Sequence, residues 1–112
     1  MHTMVVQMSI DPARTDAIAR HFREDIISWA TQQPGFVSGQ WLLAPEHGQG
    51  MGVVVFATMD TASAAARGPR SYARNDSRAW NVEDVTIYEQ VTTAELKTHL
   101  AEEEPQPLKT VR

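Results

Sequence analysis

Eight residues, Pro34-Gly35-Phe36-Val37-Ser38-Gly39-Gln40-Trp41, constrain this chain more than any others. Proline cannot continue a helix, and glycine permits the turn that follows. The segment therefore takes the chain out of a long amphipathic helix and into a strand. Before it, Asp11-Pro12 opens the helix, with Asp11 as N-cap and Pro12 at the first helical position, where no donor is needed. Ile18, Phe22, Ile26 and Trp29 follow at spacings of four, four and three and form one apolar stripe, with Asp16, Arg20, Arg23 and Glu24 off it.

The rest of the chain alternates in the same way. Thr3 to Ile10 has period two and predicts a strand with both faces partly covered. Val37 to Leu43 predicts the second strand, Ala44 to Gly50 a flexible loop, and Gly52 to Met59 a third strand centred on Val53-Val54-Val55-Phe56. That unbroken apolar run reads as a central strand buried on both faces. Asp60 is expected to cap a short alanine-rich helix, Thr61 to Arg67, which Gly68-Pro69 breaks. Arg70 to Glu83 is polar, with Tyr72 and Trp80 as its large apolar residues, and reads as a second short helix or an irregular excursion. Asp84 to Thr92 predicts the last strand. Thr92-Thr93-Ala94-Glu95 has the form of a capping box before a small helix with Leu96, His99 and Leu100, and the tail to Arg112 reads as disordered. The organisation expected is one domain over residues 1–92 and a C-terminal helix and tail over 93–112.

The order βαββαβ specifies an α+β ferredoxin-like fold: a four-stranded antiparallel sheet with helices on one face. The strands are apolar on both sides, so the second face needs a cover, and a second copy of the sheet is the simplest one. A homodimer is therefore expected.

Composition excludes several functions. A net charge of -4 gives no electrostatic footprint for nucleic acid. Without cysteine there is no disulfide, thiolate chemistry or cysteine-based metal site. The N-terminus has no basic region before its apolar run and no apolar stretch approaches bilayer length, so a cytoplasmic protein without a membrane partner is expected. His2, His21, His47 and His99 show no metal-binding spacing. The sequon at Asn75-Asp76-Ser77 reads as chance.

The helix ending in Pro34-Gly35-Phe36, the strand Val37–Leu43, the run Gly52–Phe56, the alanine-rich second helix and the strand Val85–Val91 resemble the dimeric α/β-barrel superfamily. Within it they are most similar to the antibiotic-biosynthesis-monooxygenase-like domains, over about residues 3–92. The resemblance implies a cofactor-independent oxygenase acting on an aromatic or polycyclic substrate, or a non-catalytic accessory or stress-response dimer. Monooxygenase members carry an asparagine, a tryptophan and a tyrosine around a pocket, and Asn75, Trp80 and Tyr72 are the residues of those types here. Haem-degrading members use a histidine on or after the second helix. This chain has none between His47 and His99, so no cofactor is expected.

Other candidates come from the residues themselves. Arg67, Arg70, Arg74 and Arg78 recur at three, four and four; on a helix they would hold an anion, and otherwise they are a solvated strip. Arg70 and Arg74 are thus candidate ligand-binding residues. Trp29 reads as core, whereas Trp41 sits either in the dimer interface or over a cavity. Gln40, with Gln7 and Glu89, is polar within an apolar strand and borders a cavity or faces solvent. Met4, Met8, Met51 and Met59 read as core fillers.

Overall fold

The computed structural model describes residues 1–96 of the 112-residue chain. Strands β1 (His2–Ile10), β2 (Phe36–Ala44), β3 (Gln49–Phe56) and β4 (Trp80–Glu89) form one sheet in the order β2-β3-β1-β4, every neighbour antiparallel. Between β1 and β2 lie a 3-10 turn (Pro12–Arg14), α1 (Thr15–His21), a π-helical turn (Phe22–Ile26) and α2 (Ile27–Thr31). Helix α3 (Met59–Arg70) joins β3 to β4. This is the expected α+β ferredoxin-like arrangement, and the run Val53–Phe56 lies in a central strand.

Asp11 caps the helical segment as its sequence predicts, its carboxylate accepting from the Ala13 amide at 3.0 Å. The π turn was not foreseen, although its cause lies in the stripe. Steps of four residues advance roughly 40° on a helix of 3.6 residues per turn, so Ile18, Phe22 and Ile26 would drift off the sheet. A wider turn over Phe22–Ile26 counter-rotates and keeps Phe22 buried and Ile26 half-buried. At the exit, Gly35 takes φ +80, and an added Cβ there would meet Thr61 within 2.7 Å, so glycine is required twice over.

Several boundaries differ from expectation. The cap of α3 is Thr58, not Asp60: the Thr58 hydroxyl accepts from the Thr61 amide while the Thr61 hydroxyl accepts from the Thr58 amide. Gly68-Pro69 does not break that helix, which runs to Arg70. Pro69 lies inside the helix one residue before its end, and Ser71 closes that end with amide bonds to the Arg67 and Gly68 carbonyls. The loop after β2 is a 3-10 turn over Pro45–His47, with Gly48 left-handed at φ +62. Strand β4 begins at Trp80, four residues before the expected start, because Ile10 and Ser9 pair with Trp80 and Asn81 across a bulge. Residues 90–96 carry no helix or strand; His99 and Leu100 lie outside the described residues.

The core sits between the sheet and the helices. Met4, Val6, Met8 and Ile10 of β1, Val54 and Phe56 of β3, Ile18 and Phe22, and Ala62, Ala65 and Ala66 of α3 are all buried. The alanines bring α3 close to the sheet, as the sequence predicts. On the opposite face Val5, Val53 and Val55 stay half-buried beside exposed Leu42 and Tyr88. Among the described residues no helix is long and apolar enough to cross a membrane.

Candidate functional site

The helices do not fill the space above the sheet. A cavity of about 230 Å³ opens between them, floored by Met4, Val6 and Met8 of β1, Gly52 and Val54 of β3, Trp41 of β2 and Val82 of β4. Phe22, Ile26 and Trp29 wall one side, and Gly68, Pro69, Tyr72 and Trp80 the other. None of these side chains is charged.

Three of the rings form one cluster. Trp80, in the first position of β4, stacks on Tyr72 with centroids 4.8 Å apart and 17° between planes. Phe22 meets Trp80 edge-on at 5.4 Å, within the range of favourable aromatic pairs. Outside this cluster, the Arg78 guanidinium lies 4.0 Å from the Tyr72 centroid, a cation–π contact. His21, bonded to Asp25 through Nδ1 at 3.0 Å, packs tilted against Trp80 at 5.9 Å.

Two tryptophans depend on glycines. Trp41 lies across the sheet over Gly39 and Gly52, and Trp29 reaches over Gly68 of α3, where an added Cβ would come within 2.9 Å of its ring. A strand glycine under a large ring marks a place where two groups approach more closely than a Cβ allows. Gly52, the register partner of Trp41 across β2 and β3, forms part of this floor.

The segment between α3 and β4 carries Tyr72 and is tied down at several points. Asn81, buried, accepts from the Asn75 amide at 2.9 Å and donates to the Asn75 carbonyl at 3.1 Å. Arg14 reaches the Ser77 carbonyl, and Arg78 the Ala73 carbonyl. Arg74 pairs with Glu83 at 2.6 Å and with Asp76 at 3.1 Å. The Ser9 hydroxyl, followed by the Arg74 guanidinium, holds the Glu83 carboxyl below its ordinary value, and the Glu83 carboxylate in turn raises Arg74.

The structure brings together three of the sequence candidates and separates the others. Tyr72, Trp80 and Trp41 line the cavity. Asn75 does not: it is exposed, and its Oδ1 accepts from the Ser77 amide and hydroxyl, an Asx turn that shapes the loop. Gln40 is exposed on β2 away from the cavity, as is Gln7 on β1. The arginine strip is not helical beyond Arg70, so its members diverge. Arg70 donates to the Val85 carbonyl, Arg74 is paired with acids, and Arg78 covers Tyr72, which leaves no shared anion site among them. Trp29, expected in the core, is half-buried and walls the cavity. Asn81 and Gly52 were not singled out.

A haem would need an axial ligand and cations for its propionates. The lining contains no histidine, lysine or arginine, so these residues do not fit that group. Among the described residues no cluster of three or more histidine, aspartate or glutamate side chains is placed to hold a metal ion.

No family profile matches this chain, and no curated protein sequence does. Solved structures match its fold. HapK from Hahella chejuensis superposes with a TM-score of 0.64 at 15% identity, covering 87% of this chain and 99% of that one. MhuD from Mycobacterium tuberculosis, a haem degrader seen with two haems in its active site, gives 0.66 at 13% identity, covering 85% and 100%. An arginine-to-serine variant of MhuD, with two manganese protoporphyrin IX molecules per active site, gives 0.61 at 14%, covering 85% and 99%. In fold, the chain is similar to these antibiotic-biosynthesis-monooxygenase-type, ferredoxin-like proteins of the dimeric α/β-barrel superfamily.

Proposed function

We propose that this chain binds a small, flat, uncharged aromatic molecule in the cavity between its sheet and its helices. The observation that carries this reading is the lining: Trp29, Trp41, Tyr72, Trp80 and Phe22 surround about 230 Å³ with no charged side chain among them. Aromatic walls favour aromatic guests through area and edge–face contacts. Cavities for drug-sized ligands usually measure roughly 300–1,000 Å³, so a guest of one or two rings suits this one better than a polycycle.

The oxygenase version asks more of the site. A cofactor-independent oxygenase lets the substrate anion react with oxygen, and the protein needs to bind, orient and exclude water. Apolar walls support the last two. Tyr72 is the one titratable side chain in the lining, however, and neither an imidazole nor a carboxylate stands there to take a proton. Binding without turnover is therefore the reading the geometry supports best, in keeping with a non-catalytic accessory role.

The functional unit in this reading is a homodimer. Val5, Val53, Val55, Leu42 and Tyr88 form an apolar strip on the sheet face away from the helices, beside Gln7, Gln40 and Asp84, and a second copy of that face covers it.

Calorimetric titration tests the binding. Indane or naphthalene is expected to bind saturably and pyrene, with four fused rings, much more weakly. No saturable heat with any one- or two-ring aromatic would contradict the reading. Oxygen consumption with 1-naphthol above the protein-free rate would support the catalytic version.

A further inference from the structure

We infer that the indole N–H of Trp41 is the hydrogen-bond donor that orients the guest, so that the ligand class is an aromatic carrying a carbonyl or ether oxygen and not a plain hydrocarbon; this rests on the binding reading above. The orientation of the Trp41 ring is set by two glycines. Its benzenoid edge lies over Gly39, where an added Cβ would come within 2.7 Å of Cη2. Its pyrrole edge lies over Gly52, where Cδ1 and Nε1 would both stand 3.3 Å from an added Cβ. Gly52 is the register partner of Trp41 on the neighbouring central strand and is itself part of the cavity floor. The indole therefore lies back along β2 with its pyrrole edge turned toward β3, which sets Nε1 beside Gly52; the Met8 methyl stands 3.8 Å from the same added Cβ.

An indole N–H can only donate. Among the described residues that of Trp41 meets no acceptor, and it is not sealed away, since His2 Nδ1 is the one fully enclosed side-chain polar atom without a partner. The rest of the floor is hydrocarbon, glycine and thioether. A donor held in such surroundings is poorly hydrated, and leaving it unmatched is unfavourable. An oxygen acceptor on the guest satisfies it, whereas an added N–H or ammonium finds no acceptor beyond the Tyr72 hydroxyl.

Indane and 1-indanone share shape and differ by one carbonyl oxygen. Their affinities are measured by calorimetry for the wild-type protein and for Trp41→Phe, which keeps a ring and removes the donor. The ratio of 1-indanone to indane affinity is compared between the two proteins, so that the ligands' own hydration cancels. That ratio is expected to fall roughly two- to tenfold in Trp41→Phe, the net effect of one hydrogen bond. An unchanged ratio overturns the inference and leaves aromatic binding intact. Failure of both ligands to bind the wild-type protein overturns both. Because Trp41→Phe can disturb folding, the wild-type protein provides a second reading. Its Trp41 indole proton resonance is expected to move downfield with 1-indanone and not with indane. Equal shifts with the two ligands also overturn the inference.

Discussion

Tyr72 lies nearly parallel to Trp80, with ring centroids 4.8 Å apart and 17° between planes, and the Arg78 guanidinium sits 4.0 Å from the Tyr72 centroid. A loop residue is thereby fixed against the first residue of a strand, and the cavity gains a firm wall. Trp80→Ala removes the buried partner of Tyr72 and of Phe22, and a loss of about 3 kcal/mol of stability is expected, near the low end for tryptophan truncation because Trp80 already borders a void. Tyr72→Phe is expected to change stability by less than about 0.5 kcal/mol, since the ring stacking remains. Urea denaturation of the two variants checks both values.

Asn81, and not Asn75, is the asparagine the structure depends on. Asn81→Leu leaves the Asn75 amide and carbonyl without their side-chain partners, and a loss of about 1–3 kcal/mol is expected. Asn75→Ala loses only the Asx bonds to Ser77 and is expected to cost about 0.5–1 kcal/mol, with ligand affinity unchanged. A large drop in affinity for Asn75→Ala with stability preserved would place that residue at the site after all.

Two carboxylates are held below their ordinary values: Glu83 by the Ser9 hydroxyl and then Arg74, and Asp11 by the Ala13 amide and then Arg14. A lowered folded-state value means that the stabilisation is complete above the ordinary values of 4.5 for Glu83 and 3.8 for Asp11. It is lost as pH falls below them and through the folded-state values. Both groups are exposed, so the effect is small and screened by salt. Thermal melts between pH 7 and pH 3 are expected to show a shallower acid slope for Glu83→Gln than for the wild-type protein. An identical slope would show that the Ser9–Glu83–Arg74 contacts do not hold in solution.

Val53 pairs with Val5 on one side and Gln40 on the other, at the middle of the uncovered sheet face. Val53→Glu places a charge there, and conversion of a dimer to a folded monomer is expected by sedimentation. A wild-type protein that sediments as a monomer at micromolar concentration would contradict the proposed assembly.

The fold was legible because its signals are local and repeated. The Asp11-Pro12 cap, the stripe through Ile18 and Phe22, the Gly35 turn and the run Val53–Phe56 each point to the observed element. The cap of α3 was misplaced by two residues because Thr58 and Asp60 are both good caps, and only the reciprocal bond with Thr61 distinguishes them. The segment from Ser71 to Ala79 was not legible, since its conformation is set by contacts distant in sequence: Arg14 to Ser77, Ser9 through Glu83 to Arg74, and Asn81 to Asn75. The same reason explains the site. Tyr72 and Trp80 stand out as large rings in a polar stretch, and Trp41 as a ring set over either an interface or a cavity. Gly52 and Gly68 carry no signal until the tryptophans that lie over them are placed.

Binding in the cavity is tested most directly by filling it. Gly52→Val suits a central strand, and its methyl groups project from the floor into the space beside Trp41, displacing that ring slightly from its 3.3 Å approach. Tryptophan fluorescence is followed while 1-indanone is titrated into the wild-type protein and into Gly52→Val, with circular dichroism confirming that both are folded. A saturable change in the wild-type protein that disappears in Gly52→Val is the predicted result. A saturable change of equal affinity in both proteins, or none in the wild-type protein, would contradict binding between the sheet and the helices.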